Sequence, residues 1–292
     1  MKPLHYIELG ASLFIPAAFT SLNAVVCALK YPELKSIVID FEDGLSEDKL
    51  NEAEENLKNI LKQINEKSPL VFVRSRDAKH LSKLLNFEGI ENVRGFVLAK
   101  FSLQNAEEYL CELSKTQHYF MPSIEGQELF EQSKLLELRE ILLRYKEQVL
   151  LVRFGLEDML KQLRMRRGCD ESMFDLSATS YVLGSFISAF KSVGFGVSGG
   201  VYPCFKDDEG FTRDVKRDLK EGLFSKTIIH PSQIALTNEL YKVSTQEYEE
   251  ALQITQSKEV LFAQNSKMAE VNTMKAHSQE ILLRAKVYGV RA

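Results

Sequence analysis

Arg74, Lys100, Glu125 and Asp158 each stand at or just past the end of a short apolar run, as does the acidic string Asp40-Phe41-Glu42-Asp43. If those runs are neighbouring strands, five consecutive strands aim a charged group at one place. Charges beside a packed core need partners or a metal, because burying them unpaired is costly. Glu125 and Asp158 would come from adjacent strands. Two hard oxygen donors, completed by water and substrate, are a usual arrangement for Mg²⁺. Neither His nor Cys stands beside them, which disfavours zinc. A cation and an arginine in one pocket suit carbanion chemistry. Cleaving a carbon–carbon bond next to a carbonyl leaves an enolate, and positive charge at its oxygen stabilises what develops only in the transition state. Arg74 offers a planar fork for a carboxylate or carbonyl-derived oxygen, and Lys100 a second substrate-binding cation. Singly, each acid has a plainer role: a carboxylate after a strand is often a helix N-cap, and Asp158 opens the apparent helix DMLKQL. Convergence with Arg74 and Lys100 argues for a site.

The elements that must position these groups are legible in the pattern. Eight β-rich runs recur: Ser12–Pro16, Ser36–Asp40, Leu70–Val73, Gly95–Ala99, Tyr119–Pro122, Gln148–Phe154, Phe195–Ser198 and Thr227–His230. Their continuous apolar character suits buried parallel strands. Helical patterns lie between them. Ser46 is expected to cap a helix bearing Leu50, Ala53, Leu57, Ile60, Leu61 and Ile64, and Ser102 one bearing Leu103, Ala106, Tyr109, Leu110 and Leu113. A third spans Ser177–Ser192 and ends at Gly194. Eightfold strand–helix alternation predicts an α/β fold, a (β/α)8 TIM barrel, with an open doubly wound sheet as the alternative. After His230 the pattern is helical only, over Ser232–Tyr241, Ser244–Gln264 and Lys267–Val287. The expected organisation is a catalytic barrel over residues 1–242 and a C-terminal helical extension over 243–292. The last helix is surplus to an eight-unit barrel and is expected to pack on the barrel or on a neighbouring subunit.

The 292 residues suit one barrel of about 250 residues plus an appendage. A net charge of −4 and a pI near 5.9 give no electrostatic reason to expect nucleic acid or an anionic membrane as partner. No apolar run reaches the roughly 18 residues of a membrane span. The opening MKPLHYIELGASLF does not read as a signal peptide, so a cytoplasmic location is expected. Cys27, Cys111, Cys169 and Cys204 are far apart and form no CxxC pair, so reduced thiols are expected rather than disulfides or structural zinc. Gly194-Phe195-Gly196-Val197-Ser198-Gly199 matches GxGxxG. It follows a helix and runs on into Gly200-Val201-Tyr202-Pro203, so glycines that let a strand reach the barrel mouth are the better reading than a dinucleotide loop. A phosphate-using barrel would need an anion near Gly199–Gly200. His230, before Pro231, reads as a strand-end or turn residue. Arg164, Arg166 and Arg167 read as a solvated basic face able to meet an anionic substrate tail.

The pieces SLFIPA, IDFEDGLSEDK, VFVR with Arg74, VLAKF with Lys100, MPSIEG with Glu125 and FGLEDML with Glu157 and Asp158 follow in order. DDEGFTRDVKRDLKEGLFSKTIIHPSQI and the tail SKMAEVNTMKAHSQEILLRA complete the series. Together they resemble the HpcH/HpaI aldolase and citrate lyase β-subunit superfamily across nearly the whole chain. RMRRG, YVLGSFISAF and KTIIHPSQI are most similar to the branch of C–C bond lyases associated with tellurium-resistance operons. The resemblance implies a (β/α)8 barrel, Mg²⁺ held by Glu125 and Asp158, and Arg74 on the substrate carbonyl. It also implies that Glu42 and Asp43 support the metal site or act in acid–base steps. Relatives often work on β-hydroxyacyl thioesters of coenzyme A and assemble as oligomers. This chain carries Arg76 where Asn is usual and Ala276 where Pro precedes the tail histidine. The expected function is a Mg²⁺-dependent lyase or aldolase of retro-Claisen or retro-aldol type. It would act on a small oxo- or hydroxy-carboxylate, free or as an acyl-coenzyme A thioester, in a homo-oligomer. The alternative is a non-catalytic metal-binding barrel serving as subunit or scaffold.

Overall fold

Apolar runs that alternate with amphipathic stretches have one economical arrangement, a parallel sheet with helices outside it. The computed structural model has that arrangement and describes residues 3–265 and 267–291. The sheet strands are β1 (Ala11–Pro16), β2 (Ser36–Asp40), β3 (Leu70–Ser75), β4 (Gly95–Leu98), β5 (Tyr119–Ile124), β6 (Arg153–Phe154) and β7 (Lys226–Ile228). Their order is β6-β5-β4-β3-β2-β1-β7, and every pairing in it is parallel. The gap between β6 and β7 is filled by residues 195–199, which bridge Val152 through Val197 and Lys226 through Gly199. The Val152 amide donates to the Gly196 carbonyl at 2.9 Å, and the Gly199 amide to Ser225 at 2.7 Å. Eight staves therefore close the barrel, and the open-sheet alternative falls.

The helices are α1 (Leu22–Val26), α2 (Leu50–Leu61), α3 (Ala78–Leu84), α4 (Ala106–Leu113), α5 (Gln132–Leu143), α6 (Leu156–Gln162), α7 (Ser177–Lys191), α8 (Asp208–Lys220) and α9 (Ser232–Leu240). On α2, Ala53, Leu57, Ile60 and Leu61 face the sheet, as their spacing predicts. Neither expected serine caps its helix. A 3-10 turn over Glu47–Lys49 precedes α2 and Ser46 makes no side-chain cap bond. The chain turns at Ser102, whose amide is taken by the Asn105 side chain at 2.9 Å, and α4 starts only at Ala106. Gly194, with φ +86°, ends the turn after α7 as expected.

Beyond the barrel the structure departs from the helical reading. β8 (Val243–Ser244) leads into α10 (Thr245–Gln256), which Ser244 and Glu247 close with a capping box. The predicted helix to Gln264 stops at Gln256. An antiparallel hairpin, β9 (Leu261–Gln264) and β10 (Lys267–Glu270), turns at Asn265 with φ +48°. The first residue of the tail motif, Ser266, lies outside the described residues. α11 (Val271–Tyr288) then packs on α10 and beneath the N-terminal ends of the strands, where the Tyr288 hydroxyl donates to the Ile7 carbonyl at 2.6 Å. Tyr6 donates to Glu280 of α11, and β11 (Val290–Arg291) pairs with β8. The surplus helix thus packs in part on its own chain, while residues 272–277 of it stay exposed.

Two further expectations are corrected. Cys169 and Cys204 form a disulfide with a Cα–Cα distance of 5.8 Å. The loops after α6 and after residues 195–199 bring them together at the usual spacing of such bridges. The basic face is divided: Arg167 is buried and binds Asp214 at 2.6 Å, while Arg164 and Arg166 are exposed. Asp214 also binds Lys226, at 2.5 Å, and Lys226 binds Asp218 at 2.6 Å, so a buried ionic group joins β7 to α8. Among the described residues no helix is long and apolar enough to cross a membrane.

Candidate active site

The C-terminal ends of the strands ring a cavity of about 490 Å³, on the face where barrel enzymes carry their chemistry. Asp40, Asp43, Arg74, Glu125, Arg153 and Asp158 all line it. Register explains the first contacts. Asp40 at the end of β2 is the Cα partner of Arg74 on β3. The Arg74 Nε and Nη2 donate to the two oxygens of Asp40 at 2.6 and 2.7 Å. Arg74 also approaches Glu42 at 3.0 Å and Asp43 at 3.1 Å. Burial works against its charge, but these three carboxylates outweigh it and hold its pKa above the ordinary arginine value. The fork expected to face substrate is therefore filled by Asp40.

Lys100 stands behind this group and not on the cavity wall. Its ammonium meets Glu42 and lies 3.6 Å from Asp43. Burial lowers its pKa, but Glu42, Asp43 and Glu125 together raise it above the usual lysine value. Glu42 is pushed up, first by burial and then by its hydrogen bond with Asp43. Asp43 is held down: burial opposes this, but the bond with Glu42 and the charges of Arg74 and Lys100 prevail. Two neighbouring acids driven apart in this way are suited to sharing a proton.

Lys100 has φ +49°, a left-handed backbone that non-glycine residues seldom adopt. That turn aims its amide at Glu125 Oε1, 2.7 Å away. Glu125 follows β5, is buried, and has its pKa pushed up to about 7, chiefly by burial and further by the charge of Asp158. Asp158 lies in the first turn of α6, whose N-cap position is Gly155. Gln162, one turn on, donates to the Glu125 carbonyl at 2.6 Å and fixes α6 against β5. Gly155 makes this packing possible: a Cβ there would lie 2.2 Å from the Glu125 Cβ and 2.7 Å from Oε2.

Among the described residues no three His, Cys, Asp or Glu side chains are gathered to hold a metal. The pair Glu125 and Asp158 offers only oxygen, sits at an open cavity and strains against its own charge. Those traits fit a hard divalent cation that keeps water or substrate in its remaining positions.

Arg153 was not singled out from the sequence, although a lone cation inside QVLLVRF was a signal of an inward-facing charge. It is 3% exposed. Its Nη1 donates to Thr227 at 3.0 Å, and its guanidinium lies 5.1 Å from the Phe14 ring centre. Burial, with the charge of Arg74, pushes its pKa down to about 9. His230 sits in a turn, its Nδ1 2.8 Å from the Ser232 hydroxyl, and stacks on Phe205. Near Gly199 the Asp218 carboxylate would meet an added Cβ at 2.2 Å. An acid at that point argues against a bound phosphate, and close packing explains the glycine.

A family model described as C-C bond lyase of the TIM-barrel fold matches residues 3–290. A (3S)-malyl-CoA thioesterase of Cereibacter sphaeroides is 31% identical over 95 residues, 32% of this chain and 32% of the relative. An L-malyl-CoA/beta-methylmalyl-CoA lyase of that organism is 33% identical over 85 residues, 29% of this chain and 25% of the relative. The chain thus spans a third or less of these curated relatives. A citrate lyase from Burkholderia xenovorans superposes with a TM-score of 0.74 at 18% identity, covering 97% of this chain and 94% of that one. Protein CitE from Mycobacterium tuberculosis, solved with magnesium, acetoacetate and coenzyme A, gives 0.70 at 17% identity, covering 96% and 99%. At such identities these two show the fold alone.

Proposed function

The chain belongs to the C–C bond lyase family of the TIM-barrel fold, and from that membership we propose a Mg²⁺-dependent lyase or aldolase acting on a small oxo- or hydroxy-carboxylate. The observation that carries the reading is the pair Glu125 and Asp158, two carboxylates that line one cavity at the strand ends and are close enough for the charge of Asp158 to raise the pKa of Glu125. Glu125 and Asp158 would hold the cation, which when bound supplies a Lewis acid for a carbonyl oxygen. Arg74 lines the same cavity with every guanidinium nitrogen engaged, and would meet a developing enolate by giving up part of its contact with Glu42 or Asp43. Glu42 and Asp43, with Lys100 beside them, are the proton-transfer pair. The thioester substrates of the malyl-CoA relatives and the coenzyme A bound by CitE make an acyl-coenzyme A substrate one form to assay.

Mg²⁺ binding can be tested without a known substrate. A cation bound only by the folded state stabilises it by about 2.7 kcal/mol at 100 times its Kd. Glu125→Gln keeps the acceptor for the Lys100 amide and removes the charge, so the Mg²⁺-dependent rise in melting temperature should vanish. The metal-free variant should melt no lower than the metal-free parent. A parent that shows neither a Mg²⁺ shift nor calorimetric binding refutes the reading.

Homo-oligomerisation and a cytoplasmic location belong to the same proposal. Val260, Leu261 and Met268 around the β9–β10 hairpin are more than half exposed and offer an apolar patch to a second copy. Light scattering of the intact chain and of a Leu261→Lys, Met268→Lys variant tests this, and a monomeric parent defeats it. Cys169 and Cys204 recovered as thiols from rapidly alkylated cells would support the cytoplasm, and a fully oxidised pair an oxidising compartment.

A further inference from the structure

Arg153 is the cation of the cavity that has no acid. Asp40, Glu42 and Asp43 all serve Arg74, Lys100 shares Glu42 and Asp43, and Lys226 and Arg167 are paired behind the barrel wall. Among the described residues no carboxylate lies within ion-pair distance of Arg153. Its Nη1 is fixed by Thr227, while Nε and Nη2 are buried without a hydrogen-bond partner. A buried guanidinium with two idle donors is costly, and the face of Phe14 offsets only part of the cost. The idle edge, Nε with Nη2, is the same edge through which Arg74 grips both oxygens of Asp40. In this site that edge already has a known partner shape, a carboxylate.

We propose that Arg153 receives a carboxylate of the substrate, so that the preferred substrate carries a second carboxylate besides the group at the Glu125–Asp158 pair. The inference rests on this cavity being the reaction site. It deepens that reading by giving the substrate class: a free dicarboxylic oxo- or hydroxy-acid rather than an acid whose far end is a neutral thioester. Planar bidentate geometry and a single unpartnered edge favour carboxylate over phosphate, which would call for more donors than Arg153 has free. Substrate entry would complete the pairing that the ligand-free chain lacks, so binding and ordering of Arg153 go together.

Lactate and malate, which differ by one carboxylate, are suitable probes because binding can be read without turnover. In calorimetry with Mg²⁺ present, the parent should bind malate about 10-fold or more tightly than lactate, the scale of a charge-assisted pair. Arg153→Gln should bring the two acids within about threefold by weakening malate alone, and Arg153→Lys should keep part of the preference. Removing an unpaired buried charge should leave Arg153→Gln folded, with a melting temperature no lower than the parent. Equal affinities in the parent, a preference that survives in Arg153→Gln, or no binding of either acid overturns the proposal. Mg²⁺ binding, measured on the same samples, separates this failure from that of the lyase reading. A protein that takes up Mg²⁺ but ignores the second carboxylate has lost only the Arg153 assignment.

Discussion

Gly155→Ala is the smallest change that strikes the candidate metal site without touching a charge. Gly155 has φ −80°, which alanine adopts readily. Where only backbone entropy counts, the substitution would stabilise by about 0.4–1 kcal/mol. Here the new Cβ would sit 2.2 Å from the Glu125 Cβ, 3.1 Å from its Cα and 2.7 Å from Oε2. Carbon atoms rest about 3.5–4.0 Å apart, so Glu125 or the start of α6 must yield by roughly 1 Å or more. Neither yields easily. Glu125 Oε1 is held by the Lys100 amide and its carbonyl by Gln162, and the Gly155 amide bonds the Ile124 carbonyl at 3.0 Å. Overpacking of this kind costs about 1–3 kcal/mol, which reverses the sign of the simple expectation. Disturbing the groups that position a metal ligand typically costs about 10–100-fold in affinity, so Mg²⁺ binding should weaken on that scale. Urea denaturation and thermal melts of parent and variant, each with EDTA and with millimolar Mg²⁺, give both quantities. Gly184→Ala is the control: nothing lies within 4 Å of its Cβ, it is inside α7, and it should gain about 0.5–1 kcal/mol. If Gly155→Ala matches the parent in stability and in its Mg²⁺ shift, Gly155 does not position Glu125 and the packing argument is wrong.

Arg74→Lys keeps a charge but cannot span both oxygens of Asp40. Stability should fall by about 1–3 kcal/mol in denaturant titrations, with turnover lost as well once a substrate is known. Lys226→Met leaves Asp218 buried without its cation and should cost about 3–5 kcal/mol at neutral pH by the same titration. His118 is buried, and burial lowers its pKa below 6.5 despite the nearby Ile90 carbonyl. The folded chain therefore resists a proton that the unfolded chain accepts. The stability this gives is full above pH 6.5 and is lost as pH falls below it. Melting temperatures from pH 7.5 to 5.5 should show a shallower decline in His118→Gln.

The barrel was legible because its cause is local. Continuous apolar runs such as Ser36–Asp40 and the spaced apolar face of α2 reflect burial that each element must satisfy for itself. The strand-end acids and Arg74 were legible for the same reason: a charge abutting a buried run is anomalous. What Arg74 does with its fork was not, because Asp40 meets it only through the register of β2 and β3. Arg153 looked like one basic residue in an apolar run, since lacking a partner is a property of three dimensions. Cys169 and Cys204 are 35 residues apart, and no spacing rule joins two loops over that distance. The β9–β10 hairpin was hidden because LFAQNSKMAE keeps enough apolar positions to pass for helix, and only the turn at Asn265 separates the two.

The bond from Tyr288 to Ile7 spans 281 residues, almost the full chain. Contacts so distant in sequence form late, because the loop they close must first be ordered. During synthesis, a nascent chain that has made all eight staves but not α11 would leave Tyr6 and the Ile7 carbonyl without their partners at the barrel's underside. Such a chain would be a natural client for chaperones that bind exposed apolar surface, until its last helix emerges and seals the base.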